Sequence, residues 1–105
     1  MNDEGKLNMD AYREQKEMIA RVKRMEQYYD KVLNLLAHSP QVLYEDIDIQ
    51  KMIEELTEYM YAGLWLQDYE CDERGELPAD LKRGVLSEDG LYNLLCDIEC
   101  LFFLK

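Results

Sequence analysis

The sequence has little of what catalysis and cofactor binding commonly need. Histidine occurs once, as His38 at the end of a helical pattern, which leaves almost no scope for a Cys–His or Ser–His pair. Glycine occurs five times and never in a phosphate-binding run, because Gly75, Gly84 and Gly90 are dispersed. These absences argue against nucleophilic catalysis and nucleotide binding, so we expect neither enzymatic activity nor a cofactor.

Cysteine is also scarce, with three residues at positions 71, 96 and 100. Three thiols without a recognisable signal peptide are typical of a cytoplasmic protein in which they stay reduced. Cys96 and Cys100 share one helix face, but a zinc site needs two further ligands, and only Cys71 and the single histidine remain. We therefore interpret the thiols as small apolar side chains rather than metal ligands.

Long apolar runs are missing, and basic residues are scarce in one part of the chain. No stretch approaches the roughly 18 apolar residues of a membrane-spanning helix, so we expect no membrane insertion. Residues 1–40 contain seven acidic and seven basic residues, whereas residues 41–105 contain 16 acidic and five basic ones. The net charge of −11 therefore belongs to the second part, which should repel nucleic acids and attract basic partners.

What the sequence does contain is helical periodicity. An apolar stripe at spacings of three and four residues predicts a first helix over 9–37, after a frayed segment 1–8. Ser39 and Pro40 suit the start of a second helix over 40–62. The short connection between the two favours an antiparallel helical hairpin. The prediction is an all-α single domain that comprises all 105 residues.

A third helix is predicted over 87–104, with Ser87 as its N-cap. One of its faces is formed mainly by leucine and isoleucine. The second face, nearly opposite, is formed by Tyr92, Cys96, Cys100 and Phe103. A helix that is apolar all round is usually buried, so we expect this second face to be covered by residues 64–86 or by another chain.

Residues 63–86, here called the corner, are predicted to be an ordered connection between the second and third helices. Gly75 suits a turn, and Pro78 suits the first position of a short helix over 78–83 that Gly84 would close. Apolar anchors along the corner should hold it against the third helix. The polar side chains nearby form a candidate interaction surface: Lys82, Arg83, Asp68, Glu70, Asp72 and Glu73.

The acidic run 68–76 begins like a calcium-binding loop. The pattern then fails, because Glu73 stands where glycine is required and Ala79 stands where a bidentate glutamate is required. Cation binding by these carboxylates, or an unrecognised enzyme that uses them, stays an alternative.

One segment resembles a known family. "WLQDYECDERGELPADLKRGVLSEDGLYNLL", residues 65–95, is similar to the signature of a small bacterial family of unknown function, with the pattern W-L-x-D-Y-E-x-D-E-x-G-x-L-P-x-D-L-K-R-G-V-L-S-E-D over 65–89. The resemblance implies a short, acidic, mainly helical protein of the bacterial cytoplasm. It implies no activity, cofactor or catalytic residue. Its signature positions are Trp65, Tyr69, Gly75, Pro78, Leu81, Gly84, Ser87 and Tyr92.

Our leading functional hypothesis is a non-enzymatic protein-interaction or accessory module. Its simplest form is a homodimer joined through the second face of the third helix. The alternative from another class is an acidic decoy that imitates nucleic acid and occupies a basic protein, which the charge of residues 41–105 favours.

Overall fold

The computed structural model describes residues 2–104, with side chains for residues 9–103. Within that part of the chain every regular element is helical and no strand occurs, which confirms the all-α prediction. None of these helices combines the length and the apolar character that crossing a bilayer requires. The elements in chain order are α1 (Asn2–His38), α2 (Val42–Glu45), α3 (Ile47–Tyr61), α4 (Leu64–Glu73), a 3₁₀ turn (Gly84–Leu86) and α5 (Gly90–Leu104).

Helix α1 gives the molecule its elongated shape. Its 37 residues rise about 55 Å at 1.5 Å per residue. That length accounts for most of the 60 Å long axis, against 23 and 21 Å across. The helix begins at Asn2, not at residue 9, because no proline interrupts it and each added residue contributes one backbone hydrogen bond. The predicted frayed segment 1–8 is thus helical from Asn2, and Met1 lies outside the described residues.

The predicted second helix over 40–62 is interrupted at Asp46. The Asp46 backbone is extended, with φ −97° and ψ 118°. Its Oδ1 accepts hydrogen bonds from the N–H groups of Asp48, at 2.9 Å, and Ile49, at 3.2 Å. A side-chain cap of this kind satisfies the free donors at a helix start, so the chain begins α3 anew after the single turn of α2. The prediction of one continuous helix was wrong, because this aspartate competes for the local backbone donors.

The corner contains a helix that the sequence pattern did not predict. Gly63, with φ 97°, turns the chain after α3, and α4 follows it. At the other end of α4, the N–H of Gly75 donates to the Asp72 carbonyl at 2.9 Å, and that of Glu76 donates to the Cys71 carbonyl at 3.0 Å. This pair of bonds is the Schellman arrangement, which needs a left-handed residue, and Gly75 supplies it with φ 74°.

The short helix predicted over 78–83 is absent. The N–H of Leu81 donates to the Pro78 carbonyl at 3.2 Å, which makes a single turn. The Arg83 guanidinium also donates to the Pro78 carbonyl, and to the Leu81 carbonyl at 3.1 Å. The prediction was wrong because only one backbone turn forms at Pro78. The Arg83 side chain bonds to the carbonyls of Pro78 and Leu81, and no run of backbone hydrogen bonds in this described segment continues the turn into a helix.

Helix α5 begins at Gly90 and not at Ser87. The 3₁₀ turn precedes it, and the Ser87 backbone is extended, with ψ 149°. A Cβ on Gly90 would lie 2.3 Å from the Ser87 Oγ and 2.8 Å from the Tyr29 hydroxyl oxygen. This close approach explains why glycine, a poor helix former, stands at the first residue of the helix.

The core lies between α1, α3 and α5, and the corner closes it on one side. Four of its residues come from the corner, so that segment is packed and not slack. Its buried members are Val22, Met25, Val32, Leu43, Ile49, Ile53, Leu56, Tyr59, Leu77, Leu81, Val85, Leu86, Leu91, Leu94, Leu95 and Ile98.

Truncation of the corner anchor Leu81 tests this packing. Leu81 is 8% exposed, so Leu81→Ala should lower the free energy of unfolding by roughly 2–5 kcal/mol. Leu66→Ala is the matched control, because Leu66 is 51% exposed and its truncation should cost less than about 0.5 kcal/mol. Urea denaturation followed by circular dichroism measures both. Equal losses would show that the corner is not anchored in the core.

Candidate functional site

The structure divides the predicted interaction surface among several environments. Asp68 is fully buried, and Arg83 and Asp72 form an ion pair with each other. Arg83 also donates to the carbonyls of Pro78 and Leu81, so it clamps the corner instead of presenting a free charge. The members that stay exposed, outside every ion pair in the described part of the chain, are Lys82, Glu70 and Glu73.

The carboxylates of the run 68–76 do not converge on a cation site. Asp68 lies in the interior, and Asp72 and Glu76 are each ion-paired with an arginine. Across residues 9–103, no three Cys, His, Asp or Glu side chains are grouped so that they could hold a metal ion. The cation-binding alternative therefore has no geometric support.

Asp68 is the centre of a buried polar network. Arg21 holds it with two hydrogen bonds, from Nε to Oδ2 at 2.9 Å and from Nη2 to Oδ1 at 2.6 Å. The hydroxyl of Tyr59 donates to Oδ2 at 2.7 Å. Bidentate arginine–carboxylate pairs are strong and directional. Because the three residues belong to α1, α4 and α3, the network fixes the relative positions of those helices.

The network also changes the acidity of the groups that hold Asp68. The hydrogen bond to Asp68 raises the pKa of the Arg21 guanidinium. Burial raises the pKa of Tyr59, and its hydrogen bond to Asp68 raises it further. Both groups therefore stay protonated as donors, and neither exchanges a proton near neutral pH. We interpret the network as structural and not as an acid–base centre.

The signature residues of the corner have mainly structural roles. Trp65 stacks on Tyr69 with ring centroids 5.0 Å apart, and its Nε1 donates to the Val85 carbonyl at 2.8 Å. Leu81 is buried, and Gly75 ends α4. Pro78, Gly84 and Ser87 form the turns around these anchors. The exception is Tyr92, which points away from the core.

The second face of α5 is open to solvent. Tyr92 is 51% exposed and Phe103 is 89% exposed, and between them lie the partly buried Cys96 and the exposed Cys100. Helix α4 packs instead against α3 and the 3₁₀ turn. The 3₁₀ turn does contact α5, but Tyr92 and Phe103 stay exposed. Of the two coverings expected for this face, the one by residues 64–86 was therefore wrong.

Tyr61 enlarges this open face. It is 65% exposed at the end of α3. Helix α3 packs against α5. The pKa of Tyr92 is raised by its hydrogen bond with Cys96 and also by the electrostatic effect of Tyr61. At roughly 200 Å² per aromatic side chain, the exposed parts of Tyr61, Tyr92 and Phe103 amount to about 400 Å². An apolar patch of that size on a monomer is often functional. The α5 patch is defined as Tyr61, Tyr92, Cys96, Cys100 and Phe103.

Sequence reasoning missed three polar residues of the interior and its margin: the buried Tyr59 and Glu26, and the partly buried Arg21. Arg21 follows Arg13 and Glu17 at four-residue spacing, and an alternating charge pattern of this kind is usually solvated. Tyr59 did carry a signal, because a tyrosine one residue away from an apolar stripe needs a partner for its hydroxyl when it is buried.

Removal of the cation from the network should be strongly destabilising. Arg21→Met leaves Asp68 buried without its countercharge and should lower the free energy of unfolding by about 3–5 kcal/mol. Arg13→Met, an exposed arginine on the same helix, is the control and should cost less than about 0.5 kcal/mol. Adding Asp68→Leu to Arg21→Met should restore part of the loss, since no charge is then buried. Urea denaturation measures all three variants, and equal losses from the two arginines would contradict the network's role.

Tyr59 should make stability depend on alkaline pH. Its pKa in the folded protein is raised above the ordinary 10.0, so its contribution is fully present below about pH 10 and is lost as the pH rises towards the folded value. The difference in unfolding free energy between the wild type and Tyr59→Phe should therefore shrink between about pH 8 and about pH 11. With Tyr12→Phe, an exposed tyrosine, the difference should not change with pH. A pH-independent difference for Tyr59→Phe would contradict the assignment.

Comparison with known proteins supports the resemblance noted in the sequence. Residues 22–104 match the model of a family described as Domain of unknown function (DUF4298). The match includes the corner, the buried network apart from Arg21, and the α5 patch. No curated protein and no solved structure matches the chain. Because the family model covers well over half of the sequence, the chain belongs to the DUF4298 family.

Proposed function

We propose that this chain is a non-enzymatic protein-interaction module that associates with a second copy of itself through the α5 patch. The observation that carries the proposal is the contrast between the two faces of α5. Leu91 and Ile98 are 0% and 3% exposed, whereas Phe103 is 89% exposed. Under the same proposal the module does not bind nucleic acid, and it acts in a bacterial cytoplasm. The free thiols and the sequence resemblance support this location.

The arrangement of α1 and α3 supports this role, because it holds α5 from one side. Arg21 and Tyr59 both bond to Asp68, which places them close together. Three residues further along α1, the Nε of Arg24 lies 4.0 Å from the Oε1 of Glu55. The residue numbers of these contacts rise along α1 and fall along α3, so the two helices run in opposite directions. This favours the antiparallel hairpin. A hairpin presents one continuous apolar face to α5, and the opposite face of α5 remains for a partner.

The size of the patch sets the expected strength of the association. A standard interface buries about 800 Å² on each partner, roughly twice the aromatic surface that the α5 patch exposes. Aromatic side chains are nevertheless the residues that contribute most to interfaces. We therefore expect a reversible dimer that forms at micromolar concentration and not an obligate one.

Charge gives the proposed dimer a distinctive response to salt. Asp97 and Glu99 flank the patch on α5, and each chain has a net charge of −11. Two copies therefore repel each other at low ionic strength. Added salt screens this repulsion, so it should strengthen the association.

The acidic surface favours a second candidate function. Helix α3 exposes Glu54, Glu55 and Glu58. These carboxylates suit a decoy that occupies a basic protein in place of nucleic acid. A complex of that kind weakens as salt rises, which is the opposite of the response expected for self-association.

Replacement of Phe103 tests the proposed dimer. Sedimentation velocity should show the wild type shifting from monomer to dimer at micromolar concentration, with more dimer at high salt. Phe103→Ser removes the most exposed ring and should leave a monomer at the same concentration. Tyr12→Ser, which removes an exposed aromatic ring from α1 outside the patch, should dimerise like the wild type.

Two outcomes would contradict the proposal. A wild type that stays monomeric at every concentration and in both salts excludes self-association. A Phe103→Ser variant that dimerises as well as the wild type places the interface elsewhere. In either case, capture of basic proteins that is lost on adding salt would favour the decoy.

A further inference from the structure

Two carboxylates are buried in the described part of the chain, and they differ in how they are bonded. Asp68 accepts three hydrogen bonds, from Arg21 and Tyr59. Glu26 is 7% exposed and accepts one, from the N–H of Val85 to Oε1 at 2.7 Å. Among the described residues, no cation pairs with Glu26 and no donor bonds to its Oε2. Burial of a carboxylate with so few partners is costly, so packing alone does not explain it.

The free oxygen of Glu26 is not completely sealed in the interior. No sealed side-chain oxygen or nitrogen among residues 9–103 lacks a hydrogen-bond partner, so Oε2 is not enclosed. Glu26 is one of the residues that line a groove between α1 and the corner, which has a volume of about 520 Å³. That volume lies within the range of small-molecule sites. The groove is lined by Ile19, Lys23, Glu26, Gln27, Asp30, Pro78, Asp80, Leu81 and Lys82.

The lining indicates the chemistry of a ligand. Ile19, Pro78 and Leu81 offer apolar surface beside Glu26. Three carboxylates and two ammonium groups line the groove, and only the Glu26 carboxylate is buried. Lys23 and Lys82 are exposed, and neither forms an ion pair with a described residue, so they stay solvated at the rim. The strongest interaction that a ligand could add is therefore a charge-assisted hydrogen bond to Glu26. Its donor would be a cation attached to an apolar chain.

We propose that this groove binds a guanidinium or ammonium group carried on an apolar stem. The cation donates to Oε2 of Glu26, and the stem lies on Ile19 and Leu81. A guanidinium suits the site best, because it is weakly hydrated and presents several donors in one plane. The groove shares no residue with the α5 patch, so this site is independent of the proposed dimer.

Agmatine, a guanidinium on a four-carbon stem with a terminal amine, is a suitable probe. We expect saturable shifts of the Val85 amide resonance on titration, because that N–H donates to the carboxylate that takes the ligand. Glu26→Gln keeps an oxygen that can accept from Val85 but removes the charge, and it should weaken binding at least tenfold. Glu54→Gln removes one charge from the exposed face of α3 and is the matched control, with affinity expected within about twofold of the wild type.

The source of the cation is resolved by a second titration. A short neutral peptide with one arginine presents the same guanidinium as a protein side chain. Tighter binding of the peptide than of agmatine would assign the groove to a basic side chain of a partner protein. Tighter binding of agmatine would assign it to a free amine. Either result supports the cation site.

Three results would overturn the proposal. These are no saturable binding by the wild type, equal affinity of Glu26→Gln and the wild type, or equal weakening by Glu54→Gln, which would indicate attraction to the net charge alone. If Glu26→Gln does not fold, Lys82→Ala decides. Removal of this exposed rim cation should tighten agmatine binding about twofold or more, and unchanged or weaker binding would contradict a cation in the groove.

Discussion

The fold depends on keeping the charge of Asp68 inside the protein. A carboxylate removed from water loses several kcal/mol of hydration, and only well-placed partners offset that loss. Here Arg21 supplies a countercharge through two bonds, and the Tyr59 hydroxyl satisfies a further lone pair. Apolar packing tolerates small slips between helices, but this network does not, because a slip would leave a buried charge without its partner. It therefore positions α4 against α1 and α3 with a precision that leucine contacts alone would not give.

The position of α4 determines that of the corner and, through it, of α5. Trp65 projects from α4 and donates to the Val85 carbonyl, while Glu26 of α1 accepts from the Val85 N–H. The Val85 backbone is thus held from both sides, and the 3₁₀ turn that contains it lies between the two helices. Gly90 then lets the start of α5 pass close to Tyr29. Since α4 is held against α3 and this turn, it does not reach the second face of α5, and the α5 patch stays exposed.

Helices with a regular apolar stripe could be predicted from the sequence, and α4 could not. The three- and four-residue spacing identified α1, most of α3 and the buried face of α5. In α4 the pattern is inverted, because Leu64 and Leu66 are 39% and 51% exposed whereas Asp68 is fully buried. A method that reads apolar residues as interior residues fails on a helix whose most buried side chain is an aspartate. The capping role of Asp46, which divides the predicted second helix, has the same origin in polar bonds that hydrophobic periodicity does not report.

The candidate sites were harder to predict, because burial of a charge is a tertiary property. Asp68 and Glu70 stand two residues apart in one acidic run, yet the first is enclosed and the second is solvated. Glu26 stands four residues after Val22 and three before Tyr29, at the spacing of the apolar stripe of α1, but this spacing does not show whether its carboxylate has a partner. In the structure, the number of partners separates the two buried carboxylates. Both oxygens of Asp68 accept hydrogen bonds within the chain, whereas Glu26, which lines a groove, has one oxygen without a partner among the described residues. The Asp68 network has a structural role and needs no further partner, whereas Glu26 can still accept a hydrogen bond. A ligand that donates a hydrogen bond to a buried carboxylate of this kind gains an interaction that no residue of the folded chain makes.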